Sequence, residues 1–125
     1  MGIWGPGNFD NDAARDHLFD LTRELAEQIE RSLDVATARQ LEQASDAEVR
    51  ESLGTMLPNV EIICVLHETL GGGFLPEPAV ADDWQTRFEQ LGGWALFAAE
   101  HPDRQRVVRE TFTKLRQLAD QCWSD

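Results

Sequence analysis

The sequence predicts an all-α fold: a single-domain bundle of five or six helices, with an N-terminal Gly/Trp loop packed on the core. Three observations carry this. Apolar residues recur at helical spacing through most of the chain. Glycine and proline punctuate the periodic segments. The one β-branched run that would suit a buried strand has no second run to pair with. At 125 residues the chain can bury a core without metals or cross-links, so one domain is expected over residues 1–125, with a loop at 1–11 and the bundle at 12–125.

The opening, MGIWGPGNFDNDAARDH, sets Trp4 and Phe9 among Gly2, Gly5 and Gly7 and then brings four acidic or amide residues in quick succession. Glycines suit a tight loop with positive backbone dihedrals. Trp4 and Phe9 are expected to anchor that loop on the bundle, while the Asp/Asn cluster ties loop amides and caps the first helix through Asp12 or Asn11. In that helix Ala14, Leu18, Leu21, Leu25 and Ile29 form one apolar stripe, with Asp16 near the end where the helix dipole favours negative charge. Glu27 and Arg31 have the spacing of an i,i+4 pair on the wet face.

Val35, Ala38 and Leu41 suggest a short second helix with Asp34 as its cap. Ser45 and Glu48 have capping-box spacing, so a new helical turn starts at Asp46, runs to Leu53 and stops at Gly54. Residues 34–53 fit either two helices or one kinked helix. From Val60 to Leu66 the chain is apolar all round except for Glu61, which predicts a central helix with Pro58 in its first turn and Gly71 to Gly73 as its stop. After a proline-held loop, Trp84, Phe88, Leu91 and Ala95 mark a further helix, interrupted at Gly92 and Gly93 and resumed in WALFAAE. The last helix starts near Pro102 and Asp103 and buries Val108, Phe112, Leu115, Ala119 and Cys122.

Eleven Lys and Arg against 23 Asp and Glu leave a net charge of −12. That field repels nucleic acid and anionic membranes and draws basic partners inward. No apolar run is long enough to cross a bilayer and the start lacks a signal-peptide pattern, so the cytoplasm is the expected location. Cys64 and Cys122 both lie on apolar helical stripes and are expected as buried, reduced thiols.

Gly2, Trp4, Gly5, Gly7, Phe9, Asp10, Asn11, Asp12, Ala13 or Ala14 and Asp16 resemble the opening of small bacterial proteins grouped as domain of unknown function 4259. NVEIICVLHETLGG is similar to that family's central helix. His17 stands where members often carry an aromatic residue, and bulkier side chains replace their alanine-rich middle helix. The resemblance implies a helical fold and no particular activity.

Chemistry-bearing motifs are sparse. Asp10 and Asp12 fit alternate positions of a calcium loop, but Ala14 takes the third place and no glycine follows. His67-Glu68 lacks the second histidine of a zinc-protease helix, and Gly71 to Gly73 is followed by no Lys-Ser or Lys-Thr. The candidate functional cluster is therefore Asp10, Asp12, Asp16, His17 and Glu61, the last because a carboxylate inside an apolar helix needs a partner or a raised pKa. No cofactor or metal is called for. The expected function is a non-catalytic protein-interaction module with a basic protein partner. The alternative is a small metal-dependent enzyme built on the acidic opening, Glu61 and a histidine.

Overall fold

The computed structural model describes residues 5–40, 45–92 and 101–124. Trp4, Leu41, Gly93 and the WALFAAE segment lie outside those residues, and with them the anchoring expected of Trp4 and the resumed helix expected after Gly93. Among the described residues there are four helices: α1 (Asp12–Gln40), α2 (Asp46–Leu70), α3 (Pro78–Gln90) and α4 (Arg104–Cys122). The described residues are helical as expected, but they hold four helices and not five or six, because the pieces expected at Val35 and before Gly54 are parts of longer helices.

α1 runs 29 residues without a break at Asp34, so the separate short helix expected at Val35 is its last turns. α2 begins at the expected capping box: the Ser45 hydroxyl accepts from the Glu48 N–H at 3.2 Å, and Glu48 Oε1 accepts from the Ser45 N–H at 3.3 Å. It does not stop at Gly54, and Pro58 lies inside it rather than in a first turn. The donor Pro58 lacks would have bonded the Gly54 carbonyl, so the proline's missing bond and ring fall against a residue with no side chain to crowd them. Buried Leu53, Met56, Leu57 and Val60 carry the packing across this seam. Packing outweighs two local breakers.

The helices alternate in direction. Arg15 meets Leu70 and Gln28 meets Asn59, so α1 and α2 are antiparallel. Glu30 meets Trp84 and Asp34 meets Arg87, so α3 runs parallel to α1. Asp82 meets Arg116 and Phe88 stacks near Phe112 at 5.3 Å, so α4 returns antiparallel to α3. One core draws on all four helices, with Ile29, Leu53, Met56, Trp84, Phe88 and Phe112 among its most enclosed side chains.

The stripe on α1 is shifted from the expected one. Leu18 and Ile29 are buried and Leu25 is partly so, but Leu21 is 46% exposed and its place is taken by Thr22 at 0%. Val35 is exposed as well. Glu27 lies nearest Arg23, at 3.9 Å, instead of pairing with Arg31. α2 is not apolar all round: Ile62, Val65 and Glu61 face outward. Cys64 is buried as expected, whereas Cys122 is exposed, because the last turn of α4 extends past the core residues Leu118 and Ala119. Both thiols are free.

Candidate functional site

The acidic opening is a closed local structure. Asp10 Oδ2 accepts from the Gly7 N–H at 2.7 Å, and the Asp10 N–H donates to the Gly7 carbonyl at 3.1 Å. A Cβ on Gly5 or Gly7 would lie 2.6 Å from the same carboxylate oxygen, so these glycines make room for Asp10. Neither has the positive φ expected of it; Gly71, Gly73 and Gly92 do. Asn11, not Asp12, caps α1, its Oδ1 accepting from the Ala14 N–H at 2.8 Å. Phe9 is half-buried.

Arg15 joins this loop to the rest of the molecule. Its Nε donates to the Phe9 carbonyl at 3.1 Å and its Nη1 to the Leu70 carbonyl at 2.5 Å. Leu70 ends α2, where unsatisfied carbonyls gather negative potential, so a guanidinium suits the place. Two turns further along the helix face, the Thr22 hydroxyl accepts from the Phe74 N–H at 2.6 Å while lying 2.8 Å from the Leu18 carbonyl. Arg15 and Thr22 thus stitch both ends of the 71–74 turn to α1.

The sequence-predicted cluster is not brought together. Asp12, Asp16 and His17 are exposed on the first turns of α1. Glu61 is exposed and lines a cleft of about 200 Å³ between α2 and α4 with Cys64, Glu68, Glu110 and Lys114, and none of the other four cluster residues lines it. Lys114 pairs with Glu68 across the cleft at 3.2 Å. Burial, and then the nearby Glu68 charge, push the Cys64 thiol up to about 12, which makes it a poor nucleophile. His101 accepts from the Asp103 N–H at 3.1 Å and so steadies the start of α4. Among the described residues no group of three His, Cys, Asp or Glu side chains is arranged to hold a metal ion.

A second concavity, of about 310 Å³, lies between α1, the 74–77 segment, α3 and the end of α4. Its floor is apolar: Ala26, Phe74, Pro76 and Val80, with the Trp84 ring beneath. Trp123, 49% exposed, closes one side, and its indole N–H donates to the Leu75 carbonyl at 3.1 Å. Phe19 extends the apolar surface through an edge contact with Phe74 at 5.8 Å. The rim carries Glu27, Glu30 and Glu77 against one cation, Arg23.

Both oxygens of Glu30 hold a donor. Its Oε1 accepts from the Trp84 indole N–H at 2.6 Å, and its Oε2 accepts from Arg87 at 2.9 Å. Arg87 reaches Asp34 at 3.1 Å as well. Burial lowers the Arg87 pKa, but the bond with Glu30 and the charges of Glu30 and Asp83 outweigh it, so its guanidinium stays charged. Glu77 begins α3 without a side-chain cap bond. The sequence held one signal for this groove: Glu30 and Asp34 are a turn apart, as are Trp84 and Arg87. Which helices face each other was needed to read it.

Among the described residues no helix is long and apolar enough to cross a membrane. No curated protein and no solved structure matches the chain. The resemblance read from the opening extends through α1 into α2: residues 2–58 match the family model described as Domain of unknown function (DUF4259).

Proposed function

We propose that the chain is a non-catalytic module of the cytoplasm that binds a basic protein, and that the groove closed by Trp123 is where the partner docks. The observation that carries this reading is an apolar, aromatic floor bounded by carboxylates on a molecule of net charge −12. A concave apolar surface beside exposed Phe19, Val80 and Trp123 is what a partner side chain can bury, and the surrounding charge selects its sign. The metal-dependent alternative gains nothing from the geometry, since Glu61 lines the α2–α4 cleft and none of Asp10, Asp12, Asp16 and His17 lines it.

The test is a titration with a soluble peptide of alternating leucine and arginine, followed through the indole N–H resonances. The Trp123 and Trp84 signals are expected to shift first, and affinity is expected to fall steeply between low and physiological salt. Binding that leaves the Trp123 and Trp84 signals unmoved, or an affinity indifferent to salt, would overturn the reading.

A further inference from the structure

We infer that the groove is a socket for a single arginine side chain presented by the partner; this rests on the docking site proposed above and names the group that site recognises. At about 310 Å³ the cavity lies at the small end for ligand sites, too small for a folded element and large enough for one long side chain.

Its walls divide by chemistry as an arginine does. Phe74, Pro76 and Val80 offer apolar surface to a methylene stem. The Trp123 N–H is committed to the Leu75 carbonyl, so the ring carbons are what the indole offers the groove. A guanidinium is planar and weakly hydrated and stacks on such a ring, which a lysine ammonium does less well. Both Glu30 oxygens already hold a donor, Trp84 on one and Arg87 on the other, so Glu27 and Glu77 are the rim carboxylates placed to receive the cation. Glu27 has only a loose contact at 3.9 Å with Arg23, both side chains being mostly exposed.

The molecule already holds a guanidinium between two carboxylates on an adjoining edge, where Arg87 forks between Glu30 and Asp34. Arg23, by contrast, is a cation at the rim that competes with the incoming one. Removing it should strengthen binding.

The experiment compares two peptides identical except at one central residue, arginine in one and its neutral isostere citrulline in the other, titrated into the full chain by calorimetry. The arginine peptide should bind about tenfold tighter. Glu27→Gln with Glu77→Gln should erase that preference, while Arg23→Gln should raise affinity for the arginine peptide. Equal binding of both peptides, with loss on Trp123→Ala, would overturn the arginine socket and leave the groove as an apolar docking site. Arginine-peptide binding that survives both Trp123→Ala and the double glutamine variant would overturn the groove itself. Circular dichroism spectra matching the wild type confirm that each variant is folded.

Discussion

The opening loop and the Trp123 groove are both acidic and aromatic, yet their carboxylates do opposite work. Asp10 holds the Gly7 amide, and Asn11 beside it caps α1, so these two side chains are spent on the chain's own backbone. In the groove Glu27 and Glu77 hold no backbone group among the described residues and stand beside exposed aromatic surface. Acidic density along a sequence therefore marks a loop that needs stitching more readily than a surface that needs a partner. What separates them is whether the carboxylate has a donor of its own.

That contrast can be broken at several points. The largest effect is expected at the groove floor, where Trp84 is both core residue and partner of Glu30: Trp84→Ala should cost about 3–5 kcal/mol in a urea melt. Thr22→Val would leave the Phe74 N–H without its acceptor and should cost about 1–3 kcal/mol, with Thr22→Ser retaining most of the stability. A reference belonging to neither region is Cys64. Its folded pKa lies above that of an unfolded thiol, near 9.0, so its contribution is complete below that value and is lost as pH rises towards about 12. Wild-type stability should fall by up to about 1.4 kcal/mol per pH unit in that window relative to Cys64→Ala, measured by urea midpoints.

Asn11→Ala should cost about 1 kcal/mol as a lost cap and leave peptide binding unchanged. A similarly small stability change, about 1 kcal/mol for the lost indole bond to Leu75, is expected for Trp123→Ala, although the groove's affinity should be lost. If the last two were reversed, with Asn11 governing binding and Trp123 governing stability, the division between loop and groove would fail.

Most of the helical architecture was legible because periodicity needs only local information. The capping box at Ser45 and Glu48, the stop at Gly71 and the paired Trp84 and Phe88 stand where the sequence puts them. The phase error on α1 arose because Thr22 reads as polar, while its hydroxyl is satisfied by the Leu18 carbonyl and the Phe74 amide and so can be buried. Gly54 and Pro58 read as boundaries because propensity is local and the packing that overrides it is not. Glu61 read as a costly buried charge only because its neighbours are apolar, and exposed Ile62 and Val65 show that this stretch of α2 is not enclosed. The groove was illegible for a different reason: its residues come from three separated stretches of chain, and the one signal they carry cannot be read without knowing which helices face each other.

The bond from Trp123 to Leu75 has a thermodynamic consequence. Because Ala26, Val80 and Trp123 share one wall system only when the helices are assembled, an unfolded chain offers a groove ligand nothing comparable. Occupancy and folding are then linked, and a ligand at a hundred times its Kd would add about 2.7 kcal/mol to the unfolding free energy. A resident partner would thus protect the whole chain against proteolysis and heat, so the cellular lifetime of this protein would follow the abundance of what it binds.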